Sequence, residues 1–208
     1  MSLQEKNYNK FVRKLRKKLK YHRVSIISNN CIGGIIYHDL GLRFNSPTIN
    51  TLIYGEEFIN FVNDIESYLK TDLLFHSNSE GYPIGKLIVN NKVIHIHFLH
   101  NKTFEEAKSN WDRRKVRVDL DNLFIIYEHF NKYSDDIVYN FGKLKYNKVV
   151  FTHKKFNNIK YAQYIPACKE EKSFGTITKF KNKLSGKRNL YKFNIVKNFN
   201  NINKEKAL

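Results

Sequence analysis

The residues most able to do chemistry lie in SIISNNCIGGIIYHDLG, where an apolar run from Val24 to Ile27 gives way to Asn29, Asn30 and Cys31. Gly33 and Gly34 follow, and a second apolar run opens at Ile35. Strand, polar turn, glycine pair and helix is a pattern that can hold a nucleophile beside an anion site. A thiol at a helix start meets the positive end of the macrodipole, which lowers its pKa. Amides at Gly33 and Gly34 can turn toward an oxyanion or phosphate, while Asn29 and Asn30 can hydrogen-bond a polar substrate. The same letters also describe an ordinary turn with a small buried cysteine. Neither GxGxxG nor GxxxxGK[ST] occurs in the chain, which argues against a dinucleotide-binding dehydrogenase and a P-loop NTPase.

His95, His97 and His100 form the one histidine cluster. On a strand, His95 and His97 share a face, with Ile94, Ile96 and Phe98 on the other. Such imidazoles can bind zinc, can serve Cys31 or a sugar hydroxyl as a general base, or can simply occupy a polar sheet face. No further cysteine or carboxylate completes a metal spacing, so His97 and His100 are taken as candidate catalytic partners of Cys31, with no metal and no cofactor assigned. A second cluster, Trp111-Asp112-Arg113-Arg114 with Arg117, offers guanidinium forks suited to pyrophosphate or carboxylate. Those arginines can equally pair with Glu106, Asp112, Asp119 or Asp121.

Elements must position these groups. Phe11, Leu15 and Leu19 recur at helical spacing in a cationic segment, predicting a basic amphipathic helix over 9–20. A strand over 23–28, a short helix over 35–40 closed by Gly41, and a helix carrying Phe58, Phe61, Val62, Ile65 and Leu69 follow. Residues 86–98 read as a hairpin turning at Asn90-Asn91, 103–117 as a helix capped by Thr103 and Glu106, and Trp111 as part of its buried stripe. Strands at 122–127, 147–152 and 160–165 and a helix at 134–144 complete the pattern, which decays after Pro166 into a frayed end. The expected fold is a layered α/β sandwich with a mostly parallel sheet, one edge hairpin and helices on both faces. It forms a single domain with a core over 23–166.

The chain has 208 residues and a net charge of +18, and the charge is unevenly placed. Residues 5–23 carry nine Lys/Arg against one Glu, residues 154–208 fourteen against three, and the middle is balanced at −1. Two cysteines make no disulfide framework, and there is neither a secretory leader pattern nor an apolar stretch of membrane-spanning length. A cytoplasmic protein is expected, peripheral at the inner face of the membrane if the basic helix meets anionic lipid.

Taken in order, ISNNCIGGIIYHDLGLRFNSPTIN, YPIGKL and IHFLHNKTFEEAKSNWDRRKVRVDLDNLFII resemble the bacterial family called domain of unknown function nineteen-nineteen. Its members are often labelled exopolysaccharide biosynthesis proteins. The resemblance spans about 23–153 and continues more weakly to 166. It puts Asn29, Asn30, Cys31, Gly33, Gly34, Ser46, Pro47, Thr48, Trp111, Arg114 and Asn122 on recurrent positions. Ile32 and Asn101 depart from it, standing where an aromatic and a tyrosine are expected. By this resemblance the protein is a transferase-like component of surface-polysaccharide assembly acting on a sugar or phosphorylated glycan. Its substrate-binding set is Asn29, Asn30, Gly33, Gly34, Ser46, Thr48, Trp111, Arg113, Arg114 and Asn122. Two alternatives stand beside it: a hydrolase or acyltransferase using Cys31 with His97 or His100, and a nucleic-acid binder drawn from the basic ends. The balanced middle of the chain disfavours the latter.

Overall fold

The structure, a computed structural model, describes residues 1–130, 132–169, 175–182 and 184–202. Its centre is a four-stranded parallel sheet in the order β1 (Ser25–Ser28), β5 (Leu123–Glu128), β6 (Asn147–Thr152), β7 (Ala162–Tyr164). β5 is buried along its whole length, as a central strand covered on both faces must be.

Alternation along β5 splits the core in two. Ile125 and Tyr127 face a cluster built with α3 (Gly55–Asn63), α4 (Ile65–Lys70), α5 (Phe104–Lys115) and α6 (Asp136–Gly142). Phe124 and Ile126 face another, with α2 (Ile32–Leu40) and α7 (Ile195–Asn201). The fold is thus the expected α/β sandwich. The single helix read from Phe58 to Leu69 is broken at Asp64, whose φ of −125° and ψ of 40° leave the helical region.

The predicted hairpin forms, with Asn90 and Asn91 at φ 49° and 62°, the left-handed pair that a two-residue turn of primed type needs. It belongs to a separate antiparallel sheet of β2 (Leu74–Ser77), β3 (Ile84–Val89) and β4 (Lys92–His97). The end of β4 is fastened by Leu52, which exchanges two 2.9 Å backbone hydrogen bonds with His97. The next amide, Ile53, donates to the Asn29 carbonyl at 2.9 Å. Two sheets are thereby joined at the carboxyl end of β1.

The chain's basic ends are packed elements. The helix α1 (Leu3–Lys18) starts earlier than predicted, at a Ser2–Glu5 capping box. Its Arg16 donates to the Asp39 and His38 carbonyls at the end of α2, at 2.9 and 3.0 Å. The expected frayed end does not hold for the described residues: Ile177, Leu190, Ile195, Val196, Phe199 and Ile202 are buried in the second cluster. Residues 170–174, 183 and 203–208 of that basic stretch lie outside the described residues. No helix among the described residues is long and apolar enough to cross a membrane.

Candidate functional site

The carboxyl ends of β1 and β5 lie side by side, and there the first polar residues after each apolar run converge. Asn29 pairs edge-on with the backbone of Glu128: its Oδ1 accepts from the Glu128 amide at 2.9 Å and its Nδ2 donates to the Glu128 carbonyl at 3.2 Å. Asn30 works in both directions. Its Oδ1 accepts from the Ile32 amide at 3.0 Å, closing the turn that leads into α2, and its Nδ2 donates to the Glu128 carboxylate. Both asparagines are buried. The polar atoms expected to meet a substrate are engaged in holding the turn that presents Cys31.

Cys31 stands at the head of α2, partly exposed. Its Sγ lies 3.6 Å from Nε2 of His100, within hydrogen-bonding range for sulfur. His100 is exposed in a turn just beyond β4 that is closed by the Asn101 amide donating to the Phe98 carbonyl at 3.1 Å. Burial pushes the Cys31 thiol up; its own backbone N–H opposes the rise and the Glu128 charge adds to it. Desolvation is the largest influence, so the thiol is raised where the helix start led to the expectation of a lowered pKa. The resting group is a neutral thiol beside an imidazole.

The glycine pair serves packing. A Cβ on Gly33 would stand 2.6 Å from Ser28 Oγ, and one on Gly34 3.2 Å from Asn50 Oδ1. The Gly33 amide already donates to Ser28 Oγ at 3.1 Å, so it does not face an incoming anion. Ser46 and Thr48 are fully buried and bonded to each other at 3.0 Å, with Thr48 Oγ1 accepting from the Ser28 amide at 3.1 Å. They brace β1 from its open edge.

His97 does not join Cys31. It is buried, edge-on to Tyr54 at 4.8 Å, with Nδ1 3.5 Å from the Tyr82 hydroxyl and 3.6 Å from Glu80. Burial lowers its pKa. His95 turns to Glu57 at 3.1 Å. The three histidines therefore diverge, and among the described residues no three His, Cys, Asp or Glu groups are placed to hold a metal ion.

Of the remaining predicted residues only Arg114 approaches this unit, through Ile49, on which Gly34 packs. Trp111 is fully buried against Phe61 and Phe98, where no substrate reaches it. Asn122 donates to Asp119 at 2.6 Å immediately before β5 begins. The length of that strand, roughly 20 Å, separates it from Glu128. Arg113 bonds Asn110 at 2.7 Å on an exposed helix face. Arg114 is half-buried over the Phe44 ring at 5.7 Å, with Nη1 3.5 Å from the Ile49 carbonyl.

Two residues absent from the predicted set stand at the same strand ends. Glu128 is buried against Asn29 and Asn30. His129 is buried, 3.5 Å from Asp135 and with its ring 5.4 Å from that of His153. Burial, reinforced by His153, pushes its pKa down to about 4. Both follow directly on the apolar run of β5, as Asn29 to Cys31 follow that of β1, and that position was the legible signal.

The family model described as domain of unknown function (DUF1919) matches residues 3–200. The chain belongs to that family. A Haemophilus influenzae protein described as uncharacterized is 35% identical over 189 residues, covering 90% of this chain and 89% of that protein. The match reaches well past the 23–166 span on which the sequence motifs rest. It takes in α1 and α7, in keeping with the way both ends pack on the sheet.

Proposed function

We propose that this DUF1919 protein is a cysteine-dependent acyltransferase, with Cys31 as nucleophile and His100 as general base. The reading rests on one observation, the 3.6 Å approach of Sγ to Nε2 at the carboxyl end of the parallel sheet. Because burial keeps the thiol protonated, the proton must leave as the sulfur attacks, and His100 is the group in reach. Sγ adds to the carbonyl of an activated acyl donor while its proton passes to Nε2. The tetrahedral adduct then expels the donor's leaving group, which takes up that proton. An acceptor hydroxyl next attacks the thioester, giving its proton to His100, and the departing sulfur recovers it.

A sugar hydroxyl of a surface glycan is the acceptor we favour. Support comes from the likeness of the SNNCIGG stretch to proteins often labelled as exopolysaccharide biosynthesis proteins. The test is incubation with p-nitrophenyl acetate followed by mass mapping. One acetyl group should appear on Cys31, with none on the buried Cys168, and Cys31→Ala should lose it. Unchanged acetylation and turnover in Cys31→Ala would end the reading.

A further inference from the structure

A second surface lies where α1 meets the C-terminal segment. Between them runs an open groove of about 630 Å³, with Phe11, Leu15, Tyr191 and Phe193 among its lining residues. All four are only partly buried. Lys18, Lys20, Lys192 and Lys197 stand around the groove, and among the described residues no carboxylate lines it. A second hollow of about 380 Å³ shares Phe11, Leu15 and Lys18 with the groove and adds Lys10, Lys14 and Lys187. Arg13 and Lys17 extend the cationic band along the helix.

The band is unneutralised. Among the described residues none of these cations has a carboxylate within 4.0 Å, whereas Arg16, on the same helix, is turned inward to α2. Arg16 docks α1, Arg13, Lys14 and Lys17 are exposed, and Lys187 and Lys192 lie over the Phe11 and Tyr164 rings, each at 5.4 Å. Such a field attracts a polyanion. Only one of the outward cations is an arginine, so the fork geometry that reads bases and single phosphates is nearly absent. Ammonium point charges beside a partly open apolar floor match phospholipid headgroups with acyl chain beneath.

We infer that the α1–α7 face is a docking surface for an anionic bilayer, independent of the chemistry at Cys31. Val12 of α1 and Leu19, its C-cap, are already buried in the protein, so attachment is electrostatic and reversible rather than by helix insertion. Each lysine or arginine near an anionic surface contributes about fivefold to partitioning. The variant Arg13→Ala/Lys14→Ala/Lys17→Ala should therefore lower the vesicle partition coefficient roughly a hundredfold. These three side chains make no hydrogen bond or ion pair among the described residues, so folding should be unchanged by thermal melting.

Flotation of the full chain with phosphatidylcholine vesicles, with and without a third phosphatidylglycerol, provides the test. We expect capture by the anionic vesicles only, weakening as salt is raised, and lost in the triple variant. Equal recovery with neutral vesicles, undiminished binding by the triple variant, or no binding to anionic vesicles while a duplex oligonucleotide is bound would each overturn the inference.

Discussion

Gly33→Ala separates helix propensity from packing. Gly33 lies in the first turn of α2 with no positive φ, so by propensity alone alanine should stabilise the helix by up to about 1 kcal/mol. The new Cβ, however, would stand 2.6 Å from Ser28 Oγ, 3.3 Å from Ser28 Cβ and 3.4 Å from Ile26 Cγ2. Ser28 cannot simply swing away, since its hydroxyl donates to the Asn30 carbonyl at 2.6 Å and accepts from the Gly33 amide at 3.1 Å. Overpacking at a closed site costs about 1–3 kcal/mol. The net should be a loss of about 1–2 kcal/mol, which for a chain of this size lowers the melting midpoint by roughly 2–8 °C. Ser28→Ala removes the obstructing oxygen at its own cost of about 1–3 kcal/mol. In that background Gly33→Ala should cost at least about 1 kcal/mol less, a coupling of the size expected for residues in contact. Urea unfolding of the four proteins, followed by far-ultraviolet circular dichroism, measures it. A Gly33→Ala protein more stable than wild type, or strict additivity with Ser28→Ala, would refute the packing account of the glycine pair.

Two further outcomes follow from buried charge. His129 has a pKa pushed down to about 4, so the unfolded chain binds its proton first. Its contribution is complete above about pH 6.5 and is lost as pH falls toward 4, by up to about 3 kcal/mol. His97 is shifted in the same direction, so His129→Gln should flatten the acid limb of stability against pH without abolishing it; an unchanged limb would contradict the assignment. Asp39, fully buried, accepts from the Tyr8 and Tyr191 hydroxyls and lies 3.8 Å from Arg188 Nε. Asp39→Asn should destabilise by about 2–4 kcal/mol, read as a lowered melting midpoint. A neutral outcome would show that this cluster does not fasten α1 to the C-terminal segment.

Much of this architecture was legible because apolar spacing reports local structure directly. The β1–turn–α2 unit, the hairpin at Asn90-Asn91 and the Phe104–Ala107–Trp111 stripe of α5 all follow from period and capping. Apolar spacing alone does not say which strand ends meet; chain order in a parallel sheet does, since the residues that follow each apolar run gather at one edge. Asn122 and Glu128 both flank β5, yet only Glu128 shares the carboxyl end with Asn29 and Asn30. His97 and His100 are three residues apart, but the turn at Phe98–Asn101 sends one ring to Tyr54 and the other to Cys31. The buried spacing of Ile195, Val196, Phe199 and Ile202 was visible in the C-terminal segment. It was hidden by the lysines and asparagines around it, since a two-turn amphipathic signal is weak against a polar background.

The central claim is that His100, and not His97, takes the Cys31 proton. Single-turnover acetylation of Cys31 by p-nitrophenyl acetate tests it most directly, comparing wild type with His100→Ala and His97→Asn after each is shown to be folded. General-base assistance is worth roughly 10²–10⁴-fold, so His100→Ala should slow acetylation by that factor while His97→Asn stays within about tenfold. Equal rates in wild type and His100→Ala, or a larger loss in His97→Asn, would contradict the account.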